Sequence, residues 1–424
     1  MEQATKKVVI VGGGFAGINL IKRLTNDDCF QITLVDTHNY HFFPPLLYQV
    51  ATAFIEPSSI SYPFRRMFQK KKNLRFHLGC LVKVDPENNT IETDTGTLSY
   101  DILVLAVGTE TNYFGMENVR KNSLPMKTIS DALNLRNYLL LSMEKAVRAT
   151  ERAEKERHLN IVIAGGGPTG VEIAGMLAEL GHNIRMKEYP EITDLQGHIH
   201  IVDAGSTLLG PMSKTAQQEA TSVLKKLGVR ITLNTAVKDY VNGQVLLSNG
   251  KAINSNVLIW ASGVTGREIP GLPTEVIGRG RRILVDEFNK VQGTSNIYAL
   301  GDISLQTSDK DYPNGHPQLA QVAIQQGQNL ADNLKRLIDK EPLKPFHYHD
   351  KGSMAIIAKY KAVADLPKFS FKGFFAWIVW LFIHLIPIAG FRNKTKLAFS
   401  WLWSFLTNDP TLRLIIRPNP EDVK

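Results

Sequence analysis

Cysteine is nearly absent from this chain of 424 residues, which contains only Cys29 and Cys80. The two cysteines lie far apart in the first fifth of the sequence, so there is no disulfide framework, no CxxC motif and no four-cysteine zinc site. We therefore expect no metal centre and a reducing compartment. Both cysteines are interpreted as small, buried packing residues.

Long apolar runs are also scarce. The N-terminus enters a predicted strand at Val8 without an apolar core or a small-residue cleavage site, so we expect no signal peptide. One long apolar run covers residues 374–390, but His384 and Pro387 interrupt it within about the minimum length that spans a bilayer. The sequence therefore does not predict a transmembrane helix.

Charge is unevenly distributed. The formal net charge is +9, and the basic excess is concentrated after residue 367 beside four of the five tryptophans: Trp377, Trp380, Trp401 and Trp403. Tryptophan and cations flanking an apolar run are typical of a membrane interface with anionic lipid. A nucleic-acid partner is disfavoured, because that would need a basic and polar groove. We expect a monotopic anchor, and a homodimer interface is the alternative.

Short runs of β-branched residues bounded by glycine recur along the chain. The predicted strands cover residues 8–11, 32–35, 102–107, 161–164, 199–202, 257–260 and 297–300. Helical patterns at residues 15–25 and 169–180 alternate with them, whereas the charged stretch at residues 143–158 predicts a solvated linking helix. The alternation predicts an α/β fold with two Rossmann-like dinucleotide-binding domains.

The first glycine motif is GxGxxG at Gly12, Gly14 and Gly17, directly between a predicted strand and a predicted helix. Asp36 ends the next strand, where an acid accepts hydrogen bonds from a ribose. Glycine permits the tight turn, and the helix N-terminus attracts a pyrophosphate. This combination predicts a dinucleotide site.

The second motif repeats the pattern at Gly165, Gly167 and Gly170, and Asp203 is the expected acid. The interval from Gly170 to Asp203 exceeds the usual ~20 residues, which indicates an insertion over residues 181–197 or a misplaced acid. No arginine follows Asp203 closely to hold a 2′-phosphate, so NADH is preferred over NADPH.

Two dinucleotide modules in one chain indicate a flavin that reacts with a nicotinamide. The strand at residues 295–302 ends in Gly-Asp, and in this order along the chain it resembles the two-dinucleotide flavoprotein reductases of glutathione-reductase-like fold. Turns at residues 103–109 and 258–264 resemble the linking motifs of that family. Its disulfide reductases and sulfide:quinone reductases use cysteines that this chain lacks.

Three further stretches resemble type II NADH:quinone oxidoreductases. They are residues 40–51 (YHFFPPLLYQVA), residues 319–327 (LAQVAIQQG, similar to an AQxAxQ quinone-site motif) and the basic, tryptophan-rich tail. The resemblance covers essentially residues 7–414. It implies hydride transfer from NADH to FAD and reduction of a membrane quinone, and the sequence gives no basis for proton pumping.

The resemblance also implies roles for individual residues. Those implied to bind FAD are Gly12, Gly13, Gly14, Phe15, Ala16, Gly17, Asp36, Val82, Gly108 and Asp302, and those implied to bind NADH are Gly165, Gly167, Gly170, Asp203 and Gly263. Glu172 resembles an acid near the nicotinamide and the flavin. Gln321 and Gln325, one helical turn apart, are implied to meet the quinone carbonyls.

We predict an FAD-binding domain at residues 1–125 and 271–345, an NADH-binding domain at 126–270 and a membrane-associating region at 346–424. The expected location is the cytoplasmic face of the inner membrane, with anionic lipid as a partner. The alternatives are a soluble NAD(P)H reductase for another acceptor, and an NADH-sensing interaction flavoprotein.

Overall fold

The computed structural model describes residues 5–195, 197–407 and 412–416. The chain divides into two compact units. Unit 1 comprises Met1–Phe42, Ser61–Glu110 and Val264–Lys351, and unit 2 comprises Phe43–Ile60, Thr111–Gly263 and Gly352–Lys424. The C-terminal segment thus clusters with the unit that contains the second glycine motif.

The strands are numbered in chain order. They are β1 (Lys6–Val11), β2 (Phe30–Asp36), β3 (Tyr40–Phe42), β4 (Ser61–Pro63), β5 (Leu74–Leu78), β6 (Leu81–Asp85), β7 (Thr90–Thr93), β8 (Gly96–Ser99), β9 (Ile102–Leu105), β10 (Thr109–Thr111), β11 (Leu124–Pro125), β12 (Ile161–Ala164), β13 (Ile199–Val202), β14 (Arg230–Thr232), β15 (Val237–Val241), β16 (Gln244–Leu247), β17 (Ala252–Asn254), β18 (Val257–Trp260), β19 (Val264–Gly266), β20 (Ile283–Val285), β21 (Ile297–Ala299), β22 (Ser304–Gln306), β23 (Ser353–Ala358), β24 (Lys361–Asp365) and β25 (Ser370–Gly373).

The α-helices are numbered in the same way. They are α1 (Phe15–Leu24), α2 (Leu47–Ala51), α3 (Pro57–Ile60), α4 (Phe64–Met67), α5 (Glu117–Asn122), α6 (Ile129–Arg148), α7 (Arg152–Leu159), α8 (Pro168–Glu188), α9 (Lys214–Lys226), α10 (Ala320–Asp339), α11 (Phe374–Leu385) and α12 (Phe391–Thr407).

Unit 1 is built on a parallel sheet in the order β21-β9-β1-β2-β5. The central strand β1 is buried on both faces. Val8 and Ile10 belong to one hydrophobic core, whereas Val9 and Val11 belong to another. This explains the continuous apolar run in the sequence, because a parallel strand covered on both sides has no solvent-facing side chains.

Unit 2 contains a parallel sheet with the equivalent order, β11-β18-β12-β13-β14. In both sheets the strand before the glycine motif is central, and the strand that ends in the acid lies beside it. Each unit also carries an antiparallel three-stranded sheet, β6-β7-β8 in unit 1 and β15-β16-β17 in unit 2. The predicted α/β fold with a duplicated module is confirmed.

Three details of the sequence interpretation are wrong. The helix after the second glycine motif does not end at Leu180 but continues to Glu188 as one element, α8. Cys80 is exposed, so it is not the buried packing residue expected, whereas Cys29 is half-buried and packs against the core of unit 1. The charged stretch at residues 143–158 belongs to two helices, α6 and α7, which are separated by Ala149, Thr150 and Glu151.

The C-terminal part of unit 2 begins with the antiparallel sheet β23-β24-β25 and continues into α11 and α12. α11 packs on this sheet. Trp377 and Trp380 are buried, whereas Phe375 and Phe382 on the same helix are 66% and 67% exposed. α11 therefore has an inner face that belongs to unit 2 and an outer face that is apolar and uncovered.

Candidate functional site

The first glycine loop follows β1 at the carboxyl edge of the unit 1 sheet. Gly12 has φ +107°, and a Cβ there would lie 2.3 Å from the Ala106 carbonyl oxygen. A Cβ at Gly17 would lie 2.1 Å from the Gly12 carbonyl oxygen. Side chains are excluded at both positions because the backbone folds tightly on itself.

Gly14 has a different role in the same loop. It is the N-cap of α1, and a Cβ there would meet no described heavy atom within 4 Å. The N-terminus of α1, with its partial positive charge, is therefore accessible at Gly14. This is the environment that a pyrophosphate requires.

Asp36 closes the loop from the end of β2. Its Oδ2 accepts a hydrogen bond from the Gly13 N–H at 2.6 Å, and its Oδ1 accepts one from the His38 N–H at 2.8 Å. His41 Nδ1 lies 2.9 Å from the Gly13 carbonyl oxygen, and burial lowers the pKa of His41. Because a carbonyl can only accept, the neutral His41 donates from Nδ1 and holds Gly13 from the other side.

The second loop repeats this geometry after β12. Gly165 has φ +115°, and a Cβ on Gly170 would lie 1.9 Å from the Gly165 carbonyl oxygen. The Asp203 Oδ2 accepts from the Gly166 N–H at 2.5 Å, and its Oδ1 accepts from the Gly205 N–H at 2.6 Å. Asp203 therefore holds its glycine loop in the same way as Asp36. The interval from Gly170 to Asp203 is long because α8 is longer than α1.

The remaining predicted glycines lie at the same edges of the two sheets. Gly108 follows β9 with φ +68°, and Gly263 follows β18 with φ +128°. A Cβ at Gly108 or at Gly167 would meet no described heavy atom within 4 Å, so both leave room for a ligand. Val82 on β6 is 43% exposed.

Asp302 lies in a 3₁₀ turn, Gly301–Ile303, that follows β21. Its Oδ2 accepts a hydrogen bond of 3.4 Å from the Thr109 hydroxyl. The turn is held by Gln326, which is 1% exposed and whose Oε1 accepts from the Gly301 N–H at 2.6 Å. Gln326 was missed by the sequence reasoning, which singled out its neighbour Gln325.

A second residue that the sequence reasoning did not single out is Gly327 on α10. A Cβ there would lie 2.4 Å from the Ala16 carbonyl oxygen, so Gly327 allows α10 to cross α1 at close range. A glycine inside an otherwise regular helical pattern was the signal available, since such a glycine needs a packing or functional reason.

Gln321 and Gln325 lie in the first turns of α10, one turn apart as expected. The Gln325 amide is paired with the backbone of His349, donating to its carbonyl at 2.9 Å and accepting from its N–H at 3.0 Å. The Gln321 Oε1 accepts from the Lys351 N–H at 3.0 Å. Both side chains therefore fix the segment at residues 349–351 against α10.

Glu172 is buried on α8, with 8% of its surface exposed. Burial raises the pKa of this carboxyl well above its usual value, and the hydrogen bond from the Ile356 N–H opposes the shift. Gly175, one turn further along α8, lets β23 approach the helix closely. A Cβ at Gly175 would lie 1.6 Å from the Ile357 carbonyl oxygen, so a side chain would not fit there. Burial thus favours the protonated form of Glu172 over the carboxylate.

The predicted site residues thus fall into two groups. Unit 1 brings together its glycine loop, Asp36, Gly108, Asp302 and the start of α10. Unit 2 contains the second glycine loop, Asp203, Gly263 and Glu172. Each unit offers a tight loop, an open helix N-terminus and an acid at the next strand, so each fits a dinucleotide.

An apolar surface lies on α11, α12 and the turn between them. Its members are at least half exposed: Phe374, Phe375, Phe382, Ile386, Phe391, Phe399, Leu402 and Trp403. Across the described ranges of the chain, no helix is both long and apolar enough to traverse a bilayer. We call these eight residues the C-terminal apolar surface.

Comparison with known proteins matches two family models to the chain. One is the pyridine nucleotide-disulphide oxidoreductase family over residues 6–327, and the other is the NDH2 C-terminal domain over residues 350–408. The chain is similar in fold to NDH2 from Plasmodium falciparum in complex with NADH, with a TM-score of 0.87 at 23% identity over 97% of this chain and 100% of that one.

Curated relatives agree with the family models. Type II NADH:quinone oxidoreductase NdhA of Mycobacterium tuberculosis is 34% identical, over 94% of this chain and 87% of the relative. An internal alternative NAD(P)H-ubiquinone oxidoreductase of Arabidopsis thaliana is 28% identical, over 96% and 85%. The chain therefore belongs to the type II NADH:quinone oxidoreductases, and it is an FAD-dependent enzyme that oxidises NADH and reduces a quinone without pumping protons.

Proposed function

We propose that unit 1 binds FAD and unit 2 binds NADH, each through its own glycine loop and acid. The observation that carries this assignment is the duplicated geometry, in which Asp36 holds Gly13 and Asp203 holds Gly166. The FAD contacts would come from Gly12, Gly13, Gly14, Phe15, Ala16, Gly17, Asp36, Val82, Gly108 and Asp302, and the NADH contacts from Gly165, Gly167, Gly170, Asp203 and Gly263.

Bound FAD supplies the capacity to accept a hydride and to pass two electrons to a quinone. The protein supplies positions for the two nucleotides. The N-termini of α1 and α8 would each attract a pyrophosphate, and the carboxylates of Asp36 and Asp203 would accept hydrogen bonds from ribose hydroxyls.

Paired alanine substitutions test the assignment. Gly14→Ala and Gly167→Ala each place a methyl group in open space at a helix N-terminus, where no described atom lies within 4 Å. Both variants should fold, because neither glycine has a positive φ. We expect Gly14→Ala to purify with less FAD, and Gly167→Ala to retain FAD but to require more NADH. The opposite pattern of losses would refute the assignment.

Glu172 is proposed as a proton carrier for quinol formation. Reduction of a quinone by NADH consumes one proton beyond the transferred hydride, so some group must deliver it. A carboxyl whose protonated form is favoured by burial can donate that proton and be reprotonated from solvent. Glu172→Gln should slow quinone reduction and remove its dependence on the ionisation of this group.

The start of α10 is proposed as the place where the quinone headgroup binds. An amide hydrogen-bonds to a quinone carbonyl that becomes more basic as electrons arrive. Gln321 is assigned this contact in addition to its one hydrogen bond from the Lys351 N–H, whereas Gln325 holds the segment at residues 349–351 through both of its amide atoms. Gln321 is therefore proposed to combine binding with positioning, and Gln325 to be a positioning residue.

The C-terminal apolar surface is proposed as a monotopic membrane contact, with the surrounding cations meeting anionic lipid on the cytoplasmic side, where NADH is supplied. Its size and its aromatic content support this, because such exposed patches mark interaction sites. A homodimer interface on the same surface is the competing proposal.

Point substitutions test the membrane contact better than truncation, because Trp377 and Trp380 of α11 belong to the core of unit 2. We expect Phe382→Ser with Ile386→Ser and Phe391→Ser to abolish sedimentation with anionic vesicles while NADH oxidation with a soluble acceptor persists. Leu337→Ser with Val241→Ser, at exposed positions elsewhere, is the control. Unchanged sedimentation with a loss of dimer would favour the dimer interface.

A further inference from the structure

A polar cavity in unit 2 borders the charged stretch at residues 143–158, which the sequence predicted to be a solvated linking helix. The cavity has a volume of about 430 Å³, within the range of roughly 300–1,000 Å³ that small-molecule sites occupy. Its walls come from α6, from α7 and from the hairpin between β15 and β16. The charged stretch therefore forms part of a cavity wall as well as a link.

The cavity lies at the amino edge of the parallel sheet of unit 2. Three of its lining residues, Asn122, His158 and Asn256, come shortly before β11, β12 and β18, which are parallel neighbours. The second glycine loop and Gly263 follow the carboxyl ends of β12 and β18. A strand of four residues is about 13 Å long. The cavity is therefore separate from the proposed NADH site.

The wall contributed by α6 carries Tyr138, Ser142 and Lys145, which share one face of the helix because they are four and three residues apart. Ser142 is 4% exposed, and its hydroxyl has no hydrogen-bond partner among the described residues. The Lys145 ammonium has no carboxylate partner within the same described part of the chain. A buried hydroxyl without a partner costs free energy unless water or a ligand meets it.

The opposite wall presents a histidine. The His158 Nδ1 lies 2.9 Å from the Asn256 Nδ2. Because an amide nitrogen can only donate, Nδ1 accepts and the proton of the neutral ring is on Nε2. Burial is the main cause that lowers the pKa of His158, and the charges of Lys145 and Arg157 lower it further against the opposing charge of Glu154. Two cations and one acid thus act at this wall.

The lining of the cavity is rich in donors and lacks negative charge. Its donors include the Lys145 ammonium, the Ser142 hydroxyl and the ring N–H of His158. No aspartate or glutamate is among the described residues that line it. Such donors favour anionic oxygen atoms, and Lys145 disfavours a cationic ligand. The volume also leaves room for a polar body attached to the anionic group.

We propose that this cavity binds a small organic oxyanion, a phosphate monoester or a carboxylate, whose charged oxygens meet Lys145 and Ser142. The ligand is not a substrate of the hydride transfer, because the cavity and the second glycine loop lie at opposite edges of one sheet. This last point rests on the proposed NADH site of unit 2, whereas the cavity itself does not.

Isothermal titration calorimetry of the purified holoenzyme tests the proposal, with ribose 5-phosphate and citrate as probes, each with and without saturating NAD⁺. We expect at least one probe to bind with a Kd of about 1 mM or tighter, whether or not NAD⁺ is present. Lys145→Met removes a charge-assisted hydrogen bond, so it should raise the Kd about 10-fold or more, and Ser142→Ala about fivefold. Lys225→Met, which removes an exposed cation from α9, is the control and should leave the Kd unchanged.

The two probes also separate the ligand classes. Binding of ribose 5-phosphate alone would identify a phosphate monoester, and binding of citrate alone a carboxylate. If neither probe binds, or if Lys145→Met and Lys225→Met give the same Kd, the proposal is overturned. Displacement of the probe by NAD⁺ would also overturn it, since the probe would then occupy the nucleotide site. The comparison of the two lysine variants without NAD⁺ decides the cavity even if NADH binds elsewhere.

Discussion

Gly175 on α8 lies so close to Ile357 on β23 that a Cβ at Gly175 would be 1.6 Å from the Ile357 carbonyl oxygen. The contact joins the helix of the second glycine module to the C-terminal sheet within unit 2. It also brings the neighbouring Ile356 N–H to Glu172. A residue without a side chain thus determines the surroundings of the buried acid.

We predict that Gly175→Ala lowers the melting temperature by several degrees, since overpacking of this kind costs about 1–3 kcal/mol or more. Gly181→Ala is the matched control, because Gly181 is on the same helix and a Cβ there would meet no described atom within 4 Å. The control should be neutral or slightly stabilising, by up to ~1 kcal/mol. Equal losses in the two variants would contradict the packing argument.

The stability of the enzyme should depend on pH through Glu172. Its pKa is raised well above 4.5 in the folded chain, whereas an unfolded glutamate titrates near ~4.3. The contribution of Glu172 to the free energy of unfolding is therefore fully present below about pH 4. It is lost as the pH rises through the pKa that Glu172 has in the folded chain. Thermal unfolding of Glu172→Gln and the wild type should show a difference that grows with pH in favour of the variant. A constant difference would mean that Glu172 does not titrate as described.

Replacing the second acid should change nucleotide preference. Asp203→Ser removes the carboxylate that faces the ribose in the proposed NADH site, so we expect a higher KM for NADH and a gain in relative activity with NADPH. FAD content should be unchanged. Asp36→Ser is the counterpart in unit 1 and should purify with depleted flavin. Steady-state kinetics and the flavin-to-protein absorbance ratio would measure both effects.

The two glutamines of α10 should respond differently to leucine substitution. Gln321→Leu should raise the KM for quinone while flavin content and NADH-dependent flavin reduction stay normal. Gln325→Leu removes two hydrogen bonds to His349, each worth about 1 kcal/mol, and should mainly lower the melting temperature. A selective effect of Gln325→Leu on the quinone KM would instead assign it a direct contact.

The sequence predicted those secondary-structure elements that are determined by the residue pattern within the element itself. The strand at residues 161–164 has the expected bounds, because a β-branched run that ends in glycine is both buried and sharply terminated. The glycine motifs and their acids were predictable for the same reason. The length of α8 was not, since the helix continues through Gly181, which is a typical stop signal for a helix, and through the polar stretch after it.

Contacts between distant segments were beyond the sequence. Gln326 holds the turn at Gly301, and Trp401 bonds to Gln49 across most of the chain. Each partner is an ordinary residue in its own local pattern, and only the fold brings the two together. The roles of Gln326, Gly327 and Gly175 therefore became visible only with the structure.

Each glycine loop is closed by an acid from its own sheet, Asp36 in one unit and Asp203 in the other. Neither hydrogen bond involves a residue of the other unit. The two sites are therefore separable in engineering terms. If the two loops bind NADH and FAD as proposed, the reductant can be redesigned around Asp203 without retuning the loop at Gly13, so that changing the electron source and keeping the flavin are independent problems.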